Sequence, residues 1–355
     1  MAAQTQVSSS MTSFRFSGCQ LPVMKAYDDS GNPTWLDSND ELVEGIYIGM
    51  ENEIYHALPA YSSSQIKTLV KKSPAHFYRE YISDVSRKRK SVQLQRTLDA
   101  GTYGHELILE PHGFYDRYYR DLVEADVPEA LTTAPQMRKK CEELGIPIPK
   151  SADKARCKKE LKAADSSLVF FDEIKEAHVN DPKHQNKTAI DGIVYDDAHR
   201  VLESCRNNRI ADALVQNGLP EISFIAKCPR TGMWLKCRFD WLRFDCIAVD
   251  VKTTASTAPE AFAKQAGTLG YFIQEAFYRY VAALLGVQVS SFIFLCVEYV
   301  DCDWCEVYEL DGKEEAMHKC LSALDTLKHC LATNEWRAYS QRDTIRTLSI
   351  PNFAR

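Results

Sequence analysis

Long apolar runs are missing from this chain: nothing in its 355 residues approaches the ~18 consecutive apolar positions that a helix needs to cross a bilayer. That excludes an integral helical membrane protein. Residues 1–15 are rich in Ser and Thr and have neither an apolar core nor a cleavage-site pattern, so this stretch is not expected to act as a secretory leader. The expectation is a soluble, cytoplasmic protein. Cysteine is plentiful, with twelve residues, but a second close pair is lacking. Only Cys302-Asp-Trp-Cys305 has metal-like spacing, and an iron–sulfur cluster takes four cysteines. Cys205, Cys237, Cys246, Cys296, Cys320 and Cys330 sit singly within apolar segments, as reduced core thiols do. Net positive charge is absent too, the formal charge being −6. Spread evenly, that charge would argue against nucleic acid as a partner.

The charge is not spread evenly. Between Lys67 and Arg96 the basic residues are Lys67, Lys71, Lys72, Arg79, Arg87, Lys88, Arg89, Lys90 and Arg96, against Glu80 and Asp84 as the only acids. A local positive surface follows. Length and a 45% hydrophobic composition support one large domain with insertions, or two domains. Residues 1–50 read as a polar N-terminal arm and residues 51–355 as the main domain. Within the latter, residues 128–187 read as a helical insertion, with a short helix and an extended turn over 133–150 and a second helix over 155–164. That pattern resembles a SAP-type DNA-binding module. No internal repeat is present.

The segment 234–254 organises the rest. Leu235, Cys237 and Phe239 alternate with Lys236, Arg238 and Asp240, the period of a half-buried strand. Residues 247–252 read as a second strand and Arg243, Phe244 and Asp245 as a short connection, so an antiparallel hairpin would bring Asp240 close to Asp250. Asp250 interrupts an apolar run, and carboxylates are almost never fully buried unless paired or bound to metal. A salt bridge to Lys252 or Arg238 is one resolution. The other is a cation shared with Asp240, since converging carboxylates repel and hard oxygen ligands suit Mg²⁺ or Mn²⁺.

Around this hairpin the pattern predicts a strand over 45–49, a helix capped by Ser62 with Gln65 at the capping-box position, and another begun by Ser73 and Pro74. A helix over 94–109 holds Gly101 and Gly104, each costing about 1 kcal/mol in a helix interior, which predicts close backbone approach to the sheet. Leu98, Gly101, Thr102, His105, Ile108 and Leu109 share one stripe of that helix and turn His105 toward the core side. Beside two aspartates a neutral imidazole suits a third ligand position. A helix follows over 188–217, then a strand over 220–226 with Glu221 at its start. A helical region from Pro259 to Leu285 places Gln274 and Tyr278 on one face. Strands over 291–297 and 306–310 and a final amphipathic helix complete the reading.

In chain order, His105, Glu221, Asp240, Asp250-Val-Lys252 and Gln274-x-x-x-Tyr278 resemble the signature of RecB-type members of the PD-(D/E)xK nuclease superfamily. Tyr55-His, the Ser62-Ser-Ser run, Lys72-Ser-Pro-Ala-His76, Gly101-Thr-x-Gly-His105 and Leu109-Glu-Pro111 are similar to the RecE-type (exonuclease VIII) nuclease domain of phage recombination systems. The likeness extends from about Tyr55 to Ile350-Pro351, interrupted by the insertion. It departs at Arg238-Phe-Asp240, where the superfamily has Pro-Asp.

The resemblance implies an α/β fold, a nuclease core with a central mixed sheet flanked by helices. It implies His105, Asp240, Asp250 and the carbonyl oxygen of Val251 as ligands of Mg²⁺ or Mn²⁺. Glu221 would assist a second metal or orient water, Lys252 would position the nucleophile, and Gln274 and Tyr278 would contact the DNA end or backbone. With a reference pKa near ~10.4 and carboxylates beside it, Lys252 is expected to act as an ammonium. The Arg87, Lys88, Arg89 and Lys90 run is expected to meet DNA phosphates. The implied activity is Mg²⁺-dependent exodeoxyribonucleolytic digestion of one strand of linear duplex DNA from an end, 5′→3′, leaving 3′ tails for recombination by strand annealing. Implied partners are double-stranded DNA ends, a RecT-like single-strand annealing protein and further copies of the chain in a ring, in the cytoplasm of a bacterial or phage-infected host. The alternatives are a Cas4-like nuclease, which needs a four-cysteine cluster, and a non-catalytic DNA-end-binding protein on the same fold.

Overall fold

This computed structural model describes residues 14–84, 92–339, 345 and 347–350. Arg87, Lys88, Arg89 and Lys90 lie outside the described residues. Two compact units are present, Met1–Arg89 with Ser204–Arg355 as the first and Lys90–Glu203 as the second.

The first unit opens with β1 (Val23–Lys25) and β2 (Gly45–Ile48), followed by α1 (Asn52–Ala57), α2 (Ser63–Lys71) and α3 (Pro74–Phe77). Helix α2 starts where its capping box predicts, the Ser62 amide donating to Gln65 Oε1 at 2.8 Å. At α3 the Ser73 side chain itself is the cap, its hydroxyl accepting from the His76 amide, with Pro74 in the first turn.

The second unit contains α4 (Val92–Leu109), α5 (Pro111–Arg117), β3 (Tyr118–Arg120), α6 (Ala134–Glu143), α7 (Lys154–Ala164), α8 (Phe171–Val179), β4 (Thr188–Ile190) and most of α9 (Gly192–Asn207). Thr133 and Asp153 cap α6 and α7, and Met137, Cys141, Cys157, Leu161 and Phe170 form a small core of their own. The buried residues of α4 include Ala100, Gly104, Leu107, Ile108 and Leu109, whereas Leu98 and Thr102 are exposed. The expected stripe thus holds at Ile108 and Leu109 but not at Leu98 and Thr102, and His105 sits half-buried at its margin. The close approach at Gly104 is to a helix and not to the sheet: a Cβ there would lie 2.7 Å from Val201 Cγ1 of α9. The helix expected over 188–217 is broken. It opens as β4, and after α9 the Asn208 side chain accepts from the amides of Ile210 and Ala211 to start α10 (Arg209–Leu214), a cap that competes with helix continuation.

The first unit, which resumes at Ser204 and so includes α10, continues with β5 (Gly218–Lys227), β6 (Trp234–Arg243), β7 (Ile247–Thr254), α11 (Pro259–Leu269), α12 (Tyr271–Leu284), β8 (Ser291–Glu298), β9 (Trp304–Glu309) and α13 (Lys313–Thr333). Its seven strands run in the order β1-β2-β5-β6-β7-β8-β9. The sheet is mixed, with β1/β2 and β7/β8 parallel and the other pairs antiparallel. A parallel neighbour needs a long crossover, which α11 and α12 supply. Helices α2, α12 and α13 cover a large apolar core built on Phe224, Phe239, Phe277, Phe292 and Phe294. A second cluster, with Trp35, Tyr47, Tyr55 and Ile225, includes residues of the N-terminal strands and α1. Among the described residues no helix is long and apolar enough to cross a membrane.

Strand β6 departs from the half-buried expectation, because both of its faces are covered. Leu235, Cys237 and Phe239 are buried, and so are Lys236 and Arg238. Lys236 Nζ donates to the carbonyls of Tyr55, His56 and Leu58 at 2.7–3.0 Å, meeting acceptors that the end of α1 leaves without helical partners. Local alternation cannot reveal that a polar face is capped by a helix terminus.

Candidate active site

Three adjacent strands each carry a carboxylate at matching register. Pro220 pairs with Trp241 and Ile222 with Phe239, which sets Glu221 across from Asp240. Strands β6 and β7 pair only at Trp241–Val249 and Leu242–Ala248, and the next position along that register sets Asp240 across from Asp250. Neither carboxylate pair is a rung of the ladder. Glu221 has φ 46°, a left-handed conformation costing a non-glycine residue about 1–2 kcal/mol. Leu219 and Ile222, three apart, are buried in one core cluster, as are Phe239 and Leu242. Residues three apart in an uninterrupted strand face opposite sides, so both strands switch faces at Glu221 and Asp240. Strain concentrated at such a point is a mark of functional sites.

Beyond Trp241 the strands β6 and β7 part. The amide of Val251 then donates to Asp240 Oδ2 at 2.9 Å, a side chain standing in for the missing backbone acceptor. A Glu221 carboxylate oxygen lies within 4.8 Å of one on Asp240. Carboxylates this close repel unless a cation joins them, and the donors are hard oxygens, so the residues present fit Mg²⁺ or Mn²⁺.

Asp250 is 1% exposed and both of its oxygens are engaged. Gln274 Nε2 donates to Oδ1 at 2.6 Å, and Lys252 Nζ forms an ion pair with Oδ2. Burial opposes the charge on Lys252, but Asp250 first and Asp240 next outweigh it and raise the lysine pKa. The Tyr271 ring, 5.3 Å from Nζ, faces the same ammonium. Arg238, the other cation considered for Asp250, is used elsewhere. It donates to Ser223 Oγ and the Met50 carbonyl, lies 4.1 Å over the Tyr55 ring, and approaches Glu221 to 3.8 Å.

The structure therefore brings Glu221, Asp240, Asp250, Val251, Lys252 and Gln274 together. Tyr278, one turn beyond Gln274, packs edge-on against Phe239 and Phe292 at 5.1 and 6.0 Å, and burial pushes its phenol pKa up. His105 belongs to α4 of the second unit. A residue that the sequence counted only as part of a basic run also arrives here: Lys67 Nζ of α2 donates to Gln274 Oε1 at 3.3 Å. The two are 207 positions apart, and no local pattern links them. Of the metal-spaced cysteine pair, Cys302 is exposed and Cys305 buried. Among the described residues no cysteine joins a group able to hold a metal.

Residues 62–346 match the model of a family described as a PDDEXK-like domain of unknown function. No curated protein is significantly similar to the chain. A solved chain described as "Putative exonuclease" from Eubacterium rectale shares 12% identity at a TM-score of 0.47, over 86% of this chain and 96% of that one. Another, described as SSO0001, shares 13% identity at a TM-score of 0.24, over 54% of this chain and 84% of that one.

Proposed function

Because the chain belongs to the PDDEXK-like domain family, and with it to the PD-(D/E)xK nuclease superfamily, we propose that it is a metal-dependent exodeoxyribonuclease digesting one strand of linear duplex DNA from an end. The observation that carries this reading is the register-matched row of Glu221, Asp240 and Asp250, with the Lys252 ammonium held at its end. Asp240, Asp250, the Val251 carbonyl and His105 would hold Mg²⁺ or Mn²⁺. When bound, the ion supplies Lewis-acid stabilisation of the charge developing on the phosphoryl oxygens.

The chain's own groups do the rest. Lys252 stays protonated, so it orients the attacking water and stabilises an oxyanion, and does not remove a proton. Glu221 holds the water from the neighbouring strand. Gln274, expected to contact the DNA end or backbone, is buried with its amide on Asp250 and would act on the DNA end through that carboxylate, while Tyr278, half-buried one turn further along the helix, would contact the DNA end or backbone. Arg87, Lys88, Arg89 and Lys90 contact backbone phosphates. Digestion runs 5′→3′ and leaves 3′ tails for a RecT-like annealing partner, with copies of the chain closing a ring around the DNA.

A linear duplex labelled separately at each 5′ and 3′ end tests this, incubated with Mg²⁺, with Mn²⁺ or with a chelator. Metal-dependent release of the 5′ label as mononucleotides is the expected result. Binding of ends without release, under either metal, would mark a non-catalytic end-binding protein.

A further inference from the structure

We propose that Lys67 is a positioning residue of this site, acting through Gln274 to fix the carboxylate of Asp250. The inference rests on the nuclease reading above. A glutamine amide has one accepting and one donating end, and here it lies between an anion and a cation. Nε2 donates to Asp250 Oδ1 at 2.6 Å and Oε1 accepts from Lys67 Nζ at 3.3 Å. Rotating the amide by half a turn would set oxygen against carboxylate and N–H against ammonium. With Gln274 only 6% exposed, water could not compensate either loss. Lys67 thus selects the one orientation in which the amide grips Asp250, and Lys252 grips the other oxygen.

The path of Lys67 is built for this. Its stem crosses Gly270, the left-handed residue between α11 and α12, where a Cβ would lie 3.4 Å from Lys67 Cγ and Cδ and 2.9 Å from Lys71 Cδ. One turn along α2, Lys71 donates to the Gly267 carbonyl at 2.5 Å, pinning the helix over the same junction. Burial, reinforced by Lys252 and opposed by Asp250, pushes the Lys67 pKa down to about 8. The fold retains this amine at its site despite disfavouring its charge.

The test is a double-mutant cycle on linear duplex with Mg²⁺, using Lys67→Ala, Gln274→Ala, both together, and Lys67→Arg. Lys67→Ala should lower kcat about 10- to 100-fold while KM for duplex stays within about 3-fold, and Lys67→Arg should recover most of that loss. The double variant should be no slower than Gln274→Ala, because the second change removes a group with nothing left to act through. Thermal unfolding gives a readout independent of turnover: the Tm loss of the double variant should be smaller than the sum of the single losses. If Lys67→Ala does not fold, Lys67→Met keeps the stem and takes its place. Losses that multiply in kcat or add in Tm would overturn the assignment, as would a raised KM with unchanged kcat. A wild-type protein inactive on linear duplex with both Mg²⁺ and Mn²⁺ would instead overturn the nuclease reading.

Discussion

Lys236 and Lys252 occupy neighbouring strands of one sheet, and burial disfavours the charge of each, yet their surroundings answer in opposite directions. Lys236 meets three backbone carbonyls, and burial, followed by Arg238, lowers its pKa to about 8. Lys252 meets Asp250 and Asp240, and its pKa rises. Neutral acceptors hold the Lys236 ammonium in place but do not offset the effect of burial and Arg238 on its charge. Carboxylates do both, so the kind of partner, and not burial alone, separates a lysine that braces the fold from one that can serve phosphate chemistry.

The contrast breaks most visibly if the anion is removed from the Lys252 side. Asp250→Asn keeps the shape and deletes the charge, and the rate of nucleotide release should fall by about 10³-fold or more. Asp240→Asn should do comparable damage, and a few per cent of residual activity in either variant would sink the assignment. Next in size, Lys252→Met strands Asp250 without its cation and should cost about 3–5 kcal/mol in urea unfolding. Mn²⁺ should then raise the Tm of that variant more than that of the wild type, since an ion can take over the missing charge. No shift in either protein would show that no ion binds beside Asp250.

On the other side, Lys236→Met removes three donors and should cost about 2–3 kcal/mol of stability, with turnover per folded molecule within about 3-fold of wild type. A large selective loss of turnover would erase the distinction. The smallest effect is in pH. The folded pKa of Lys236 lies below the unfolded value of ~10.4, so below about 8 both states hold the proton and the burial penalty is complete. Between those values the unfolded chain holds a proton that folded Lys236 has released, and stability rises with pH. Lys252 has the opposite sign, its contribution complete below ~10.4 and lost only as pH rises through its higher folded pKa. The slope between pH 8 and 10 should therefore be shallower in Lys236→Met, and an unchanged slope would contradict the lowering of its pKa by burial and Arg238.

Much of the arrangement was legible because it is local. The alternation around Asp240, the apolar run broken by Asp250 and the caps at Ser62 and Ser73 each need only a few consecutive residues, and the hairpin register follows from them. The mixed sheet followed from the family resemblance. Features that depend on distant chain segments were not legible. Lys236 and Arg238 read as a wet face because α1 and Tyr55, which cover them, lie far upstream. The left-handed backbone of Glu221 carries no sequence mark of the kind a glycine would give. The stripe expected on α4 holds at Ile108 and Leu109 but fails at Leu98 and Thr102, and the close approach at Gly104 is to Val201 of another helix, a distant partner no local pattern names.

Where β6 and β7 part, the Val251 amide becomes a gauge of the site's charge. Its proton is held by a carboxylate and not by a neighbouring strand, and such charge-assisted bonds tighten or slacken with the charge they serve. In a ¹H–¹⁵N spectrum its resonance should lie downfield while Asp240 carries its full negative charge, and move upfield when a proton or an ion takes part of that charge. A peptide group with no part in the reaction would thus register occupancy of the site before any substrate is added.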